Sequence, residues 1–352
     1  MTVSYRARTR HRGFSIVELM VALTIGLMLL TLLAVILSNA SRSQKETFLA
    51  AEQIENGRYA VDMLSDDIHH AGFWGYYSGT FTAPAGLPDP CDTSTAGLKA
   101  AMAIPLQGYN APIASLPTCL DPANYLAGTD ILVVRHASTT VTALASLLAS
   151  PNTVSTVFIQ TGASAFAPNN PVVDTGGNPG SFTQTTRNGT GTAVTAPIRL
   201  YETHIYFVSP CSVPTGSGGT VCTATDDGGN PVPTLKRLEL DQATGTMKVT
   251  PLVQGIENLQ VDYATDSDAD GSPDSAAYIA DPGTAVNWQK VMEVQLYVLA
   301  RNTQRSDYTD NKTYALGTAG NITPAGTSLP YRRHVYSAAI RVKNASERLE
   351  TP

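Results

Sequence analysis

Between Phe14 and Leu37 stand 24 residues of which one, Glu18, is charged. At ~1.5 Å per residue, a helix of this length crosses a ~30 Å hydrocarbon layer. The run therefore predicts a membrane-spanning helix near the start of the chain. Arg6, Arg8, Arg10, His11 and Arg12 precede it. A basic flank stays on the cytoplasmic side, so the expected topology has the amino terminus inside and the bulk of the chain outside. Two ordinary readings leave residues unexplained. A secretory signal has an apolar core of ~7 to 15 residues before a small-x-small cleavage site; Ser38-Asn39-Ala40 would serve as the site, but the core is too long. A plain single-pass anchor has the length but no use for Glu18, since a carboxylate at the bilayer centre costs ~2.5 to 3.5 kcal/mol.

The segment Gly13-Phe14-Ser15-Ile16-Val17-Glu18-Leu19, set between a basic leader and the apolar run, resembles the class III signal of type IV pilins and type II secretion pseudopilins. The resemblance implies that prepilin peptidase cuts between Gly13 and Phe14, removing residues 1–13, and that the new Phe14 amine is N-methylated. It implies also that Glu18 meets the terminal amine of a neighbouring subunit, relieving two buried charges and setting axial register during assembly. Residues 14–37 would then be the transmembrane and assembly helix.

Beyond Leu37 the helix is expected to continue to His70. Ser38 to His70 holds no proline, Ile54, Val61, Leu64 and Ile68 fall on one helical face, and Gly72 is a stop signal. Residues 38–72 read as an amphipathic continuation and 73–352 as an exported globular domain. Only 15% of the chain is charged, against ~25% in ordinary domains, which suits an extracytoplasmic, loop-rich β protein. Loss of the four leader arginines takes the net charge from −6 to about −10, so nucleic acid is an unfavourable partner for the domain as a whole. Cys91, Cys119, Cys211 and Cys222 all follow the apolar run. In an oxidising compartment they form two disulfides, and of three possible connectivities sequence proximity favours Cys91 with Cys119 and Cys211 with Cys222.

Strand candidates are Thr129 to Arg135, Val154 to Thr161, Ile198 to Val208, Leu235 to Leu240, Gly245 to Thr250, Ile256 to Tyr263, Val291 to Ala300 and His334 to Val342. Several alternate cleanly, as Met292, Val294, Leu296 and Val298 do. Gly79 to Gly128 reads as a disulfide-clipped insertion, and Asn169 to Thr195 as a loop or hairpin. The aromatic group Phe73, Trp74, Tyr76 and Tyr77 is expected to wedge the helix end onto the sheet. The predicted fold is α+β and pilin-like, a long amino-terminal helix laid across a mostly antiparallel sheet.

The succession Gly255-Ile256-Glu257-Asn258-Leu259-Gln260-Val261-Asp262-Tyr263, an Asp-rich loop, Trp288, Val291 to Arg301 and Tyr331-Arg332-Arg333-His334-Val335-Tyr336 resembles the PilW-type minor pilins. That resemblance implies a non-enzymatic subunit that primes or caps pilus assembly. Its partners would be other minor pilins, the major pilin, the inner-membrane assembly platform and prepilin peptidase. It would sit in the inner membrane before assembly and in the filament afterwards. The J-type minor pseudopilin of type II secretion and a pilus-tip adhesin or DNA-uptake subunit are the alternatives within reach.

One stretch suggests an ion. Asp266, Asp268, Asp270, Gly271 and Asp274 occupy the first, third, fifth, sixth and ninth places of a calcium loop. The twelfth place is Ala277, so an EF-hand is rejected; a calcium-stabilised loop between two strands and an unligated acidic turn both remain. The sequence contains no HExxH, GxSxG or GxxxxGK[ST]. His136, His204 and His334 lie scattered in strand-like segments, and His69 and His70 at a helix end, where their bland role is to face the negative pole of the dipole.

Overall fold

Helix α1 runs unbroken from Ile16 to His70. The structure is a computed structural model that describes residues 13–77, 79–149, 155–162, 170–187, 189–268, 270–274 and 277–344. The leader residues before Gly13 lie outside the described residues, as do Val154, Asn169 and Ala269 of the predicted strand and loops. The chain divides into two units, Met1–Ala50 and Ala51–Pro352.

In the first unit α1 is mostly polar from Ser38 to Thr47, whereas from Ile16 to Leu37 it is apolar but for Glu18, Thr24 and Thr31, with its large side chains open, Ile16 at 80% and Leu30 at 64% exposure among them. The two threonines of that stretch are satisfied locally. The Thr24 and Thr31 hydroxyls donate to Val21 O at 2.9 Å and Met28 O at 2.8 Å, so neither leaves a bare donor in hydrocarbon.

In the second unit α1 becomes a core element. Gln53, Gly57, Ala60, Leu64, Asp67 and Ile68 are its buried residues, a stripe at helical spacing. Ile54, expected on that face, is 47% exposed; the place is taken by Gly57, whose missing side chain admits the ring of Tyr336. Beyond Ala71 the chain turns, and the Gly72 N–H donates to Arg135 O at 2.9 Å.

Among the described residues fourteen strands follow: β1 (Leu106–Tyr109), β2 (Ile131–Thr142), β3 (Val157–Gln160), β4 (Val172–Thr175), β5 (Thr185–Arg187), β6 (Ala193–Thr195), β7 (Ile198–Ser209), β8 (Thr234–Leu240), β9 (Met247–Gln254), β10 (Ile256–Thr265), β11 (Val291–Arg301), β12 (Tyr314–Ala315), β13 (Asn321–Ile322) and β14 (Arg333–Arg341). The pairing is antiparallel, as expected, but divided among several sheets. Seven make one antiparallel sheet, β1-β2-β7-β3-β4 with β8 on β7 and β9 on β8, and three make a second, β10-β11-β14. The chain changes sheet at Gly255. Its N–H donates to Pro233 O and its carbonyl accepts from Arg301 N–H, both at 2.7 Å. With φ +77° and an ideal Cβ 2.5 Å from Arg301 O, only glycine fits the crossing.

Both sheets and α1 close on one core. Leu64 and Ile68 of α1 meet Leu132 and Val134 of β2, Tyr206 and Val208 of β7, Leu259 and Val261 of β10, and Val294, Leu296 and Val298 of β11. The alternation read along β11 is thus a core face. Trp74 stacks on Tyr201 with ring centres 5.3 Å apart, and the Arg199 guanidinium lies 5.3 Å from the Phe73 ring, so these aromatics wedge the helix end onto β7. Disulfides join Cys91 to Cys119 and Cys211 to Cys222. The insertion clipped by the first contributes β1, an edge strand on β2, which the sequence pattern did not announce.

Candidate functional site

The amino-terminal end is built by local rules. Gly13, Phe14 and Ser15 precede α1, and the Leu19 N–H donates to Ser15 O at 3.1 Å, opening the helix. Ser15-x-x-Glu18 has the spacing of a capping box. Glu18 sits exposed in the first turn, where a carboxylate complements the helix dipole. Phe14 stands just before the helix and Glu18 four residues on, in its first turn.

The acidic loop leaves β10 at Thr265. Asp266, Asp268 and Asp274 bring carboxylate oxygens within 4.8 Å of one another; Asp270 stands outside this group. The loop is closed by its own carboxylates, Ser267 N–H donating to Asp274 Oδ2 at 2.7 Å and Gly271 N–H to Asp266 Oδ2 at 3.0 Å. The charge of Asp270 raises the Asp268 carboxyl above its ordinary value. These are the hard oxygen donors and mutual repulsion that a cation such as calcium would relieve.

A third group unites residues that looked unrelated in sequence. One face of β2 carries Leu132, Val134 and His136, and the matching face of β7 carries Glu202, His204, Tyr206 and Val208, with His136 opposite Glu202 in the register. Apolar at one end, this face is charged at the other, where the last turns of α1 bring Asp67 onto it. The His136 Nε2 lies 2.9 Å from Asp67 Oδ1, His204 Nδ1 lies 3.0 and 2.9 Å from the two Asp67 oxygens, and the Tyr206 hydroxyl donates to Asp67 Oδ2 at 2.9 Å. Burial works to raise the Asp67 carboxyl, but the His204 charge and hydrogen bonds from both imidazoles outweigh it and hold Asp67 well below the usual carboxylate range. Burial likewise lowers His136, yet the hydrogen bond and charge of Asp67 raise it overall. His136 and His204 are therefore not the scattered side chains their sequence positions suggest. His70 packs near the group, its ring centre 5.8 Å from that of His136, while its own Nδ1 and that of His69 lie against the Asp66 and Arg341 carbonyls.

A long apolar amino-terminal helix that becomes a core element of an antiparallel β domain, begun by Gly-Phe and a carboxylate at the fifth place, defines a protein of the pilin type. Residues 8–34 match the prokaryotic N-terminal methylation motif, and residues 221–344, which include β8 to β14 and the acidic loop, match type IV pilus-assembly protein W. No curated protein and no solved structure matches the chain. The two matches support a PilW-like type IV pilin, anchored in the inner membrane by its apolar helix and incorporated into the pilus.

Proposed function

We propose that this pilin is a minor subunit that primes or caps filament assembly once prepilin peptidase has cut between Gly13 and Phe14. The observation that carries the reading is the helix surface from Phe14 to Leu37, apolar on every side and open along its length, with Glu18 as its one charge. Such a surface buries itself first in lipid and then against other pilin helices. Glu18 pairs with the Phe14 amine of a neighbour, and the work done is assembly, without turnover. Its partners are other minor pilins, the major pilin and the inner-membrane platform. The test is the amino-terminal mass of the protein from membranes and sheared filaments, with and without prepilin peptidase. A terminus at N-methylated Phe14, present only with active peptidase, supports the reading; one at Met1 or after Ala40 overturns it. Glu18→Ala is expected to leave cleavage intact and to deplete the protein from filaments.

The acidic loop is proposed to take calcium through Asp266, Asp268 and Asp274, with Asp270 adding charge nearby. Calcium is then expected to raise the melting temperature and a chelator to lower it, both effects vanishing in Asp266→Asn/Asp268→Asn. Equal melting in calcium and chelator would leave the loop an acidic turn.

A further inference from the structure

The cluster at Asp67 does more than satisfy itself. Three donor atoms from three elements converge there: a carboxylate from α1, Nε2 of His136 from β2 and Nδ1 of His204 from β7, all within 4.8 Å of one another. Two imidazoles point ring nitrogens at the same carboxylate oxygen, 2.9 and 3.0 Å away. A zinc-class ion with bonds of ~2.0 to 2.2 Å sets its donors ~2.9 to 3.4 Å apart, depending on whether its angles are octahedral or tetrahedral. Both nitrogen-to-oxygen spacings fall in that range within about a tenth of an ångström of its lower end, and the third lies within 4.8 Å. The far side of His136 is held as a metal-bound imidazole is held: Nδ1 lies 3.1 Å from Ala137 O and 3.4 Å from Glu202 Oε2, which directs the Nε2 lone pair inward. The Tyr206 hydroxyl, 2.9 Å from Asp67 Oδ2, stands beside the place of a fourth ligand.

Charge and access agree with this geometry. Glu239 faces His204 across β8 in the register, and Glu202, His204, Glu239, Asp241 and Lys248 line a cavity of about 250 Å³ at this end of the sheet face. With neutral imidazoles, the carboxylates Asp67, Glu202, Glu239 and Asp241 outnumber the cations Arg237 and Lys248, and the cavity gives an ion a polar route to His204. Residues that merely fill a core would not be arranged with a carboxylate behind one imidazole and a water-sized opening beside the other.

We propose that Asp67, His136 and His204 form a binding site for one divalent d-block cation of the zinc class, with Glu202 as the outer partner that orients His136. The bound ion ties the last turns of α1 to the two central strands of the larger sheet. This goes beyond the assembly role proposed above and does not depend on it.

The test uses the full chain in detergent micelles, stripped with a chelator and titrated with Zn²⁺ alone. One Zn²⁺ per chain is expected to survive desalting, and the ring signals of His136 and His204 are expected to shift together in NMR spectra. His136→Gln and His204→Gln each retain an amide N–H for Asp67, so the fold is kept, as circular dichroism checks; each is expected to weaken Zn²⁺ binding at least about 100-fold, and Glu202→Gln roughly tenfold. Asp266→Asn/Asp268→Asn should leave it unchanged. Failure of the unsubstituted chain to retain Zn²⁺, ring shifts confined to other histidines, or equal affinity in the His136→Gln/His204→Gln chain would each overturn the proposal. The unsubstituted chain decides even if a variant fails to fold.

Discussion

Replacing Gly57 by alanine sets two effects of known sign against each other. Glycine inside a helix costs about 1 kcal/mol relative to alanine, so on propensity alone the change stabilises α1. The structure says otherwise. An ideal Cβ at Gly57 falls 2.1, 2.4 and 2.7 Å from Cε2, Cδ2 and Cζ of Tyr336, whereas carbon atoms rest at ~3.5 to 4.0 Å. The ring would have to retreat by roughly 1.4 Å to regain ordinary contact. It is backed by the His334 ring, 4.8 Å away at 69°, and its strand is paired to β11. Overpacking of this kind costs about 1 to 3 kcal/mol; with a misfit this deep, the upper part of that range applies, and Gly57→Ala is expected to lose about 1 to 2 kcal/mol net. In a Tyr336→Ala background the obstacle is gone, so the same substitution should gain about 1 kcal/mol from helix propensity. The assay is denaturant unfolding of the full chain in micelles, followed by fluorescence of the two tryptophans, Trp74 and Trp288, both buried. Reversal of sign between the backgrounds is the expected signature. The same sign in both, or a change within a few tenths of a kcal/mol in both, would refute the packing argument.

Other parts of the domain make equally definite demands. Arg333 and Asp310 are buried and paired at 3.1 Å, Arg333 also binds Glu257, and the Tyr314 hydroxyl donates to Asp310 at 2.9 Å; Asp310→Ala leaves the guanidinium with Glu257 but takes one carboxylate from it and from the Tyr314 hydroxyl, and is expected to cost about 1 to 3 kcal/mol in denaturant unfolding, while a change within a few tenths of a kcal/mol would deny the network its role. The disulfides span 28 and 11 positions, so chain entropy assigns them about 3.6 and 2.8 kcal/mol; Cys91→Ser/Cys119→Ser should be the more damaging pair, by about 0.8 kcal/mol. Burial pushes the Asp130 carboxyl up to about 6 even though the Ala111 and Val261 N–H groups pull it the other way. Its folded pKa exceeds the unfolded one, so the stabilisation is full below pH ~4 and fades as pH rises through 6, by up to about 3 kcal/mol. Asp130→Asn should flatten the stability profile between pH 4 and 7 relative to the parent, and an unaltered slope would exclude that carboxyl as its source.

What the sequence discloses is what neighbours along the chain decide. The apolar start, its single carboxylate and the helix stop near Gly72 are local chemistry, and the strands from Ile198 onward carry their alternation openly, so α1 and β7 to β11 emerge nearly at their true bounds. The division into two sheets was not legible, because it turns on one left-handed residue, Gly255, whose meaning appears only when Pro233 and Arg301 flank it. Strand β1 escaped because Leu106-Gln107-Gly108-Tyr109 is too short to show a period. The Asp67 group was missed for a related reason. Glu202, His204 and Tyr206 alternate on β7 in plain view, but their convergence with His136 needs the β2–β7 register and with Asp67 needs the helix laid on that face. A wider search for histidine beside acid at alternate strand positions would have singled out β7, though not its partners.

Helix α1 has no break between Ile16 and His70, and its final turns supply Ala60, Leu64 and Ile68 to the core. Within the second unit those turns are therefore part of the core and not an appendage to it. A pull along α1 reaches Leu64 and Ile68 as shear, in which packed side chains must slip together; the Gln53 amide on Ala300 O at 2.9 Å and the Asn56 amide on Gln254 O at 3.2 Å resist the same displacement. In this unit a helix and a hydrophobic core are one object, and tension on the first is felt as strain in the second.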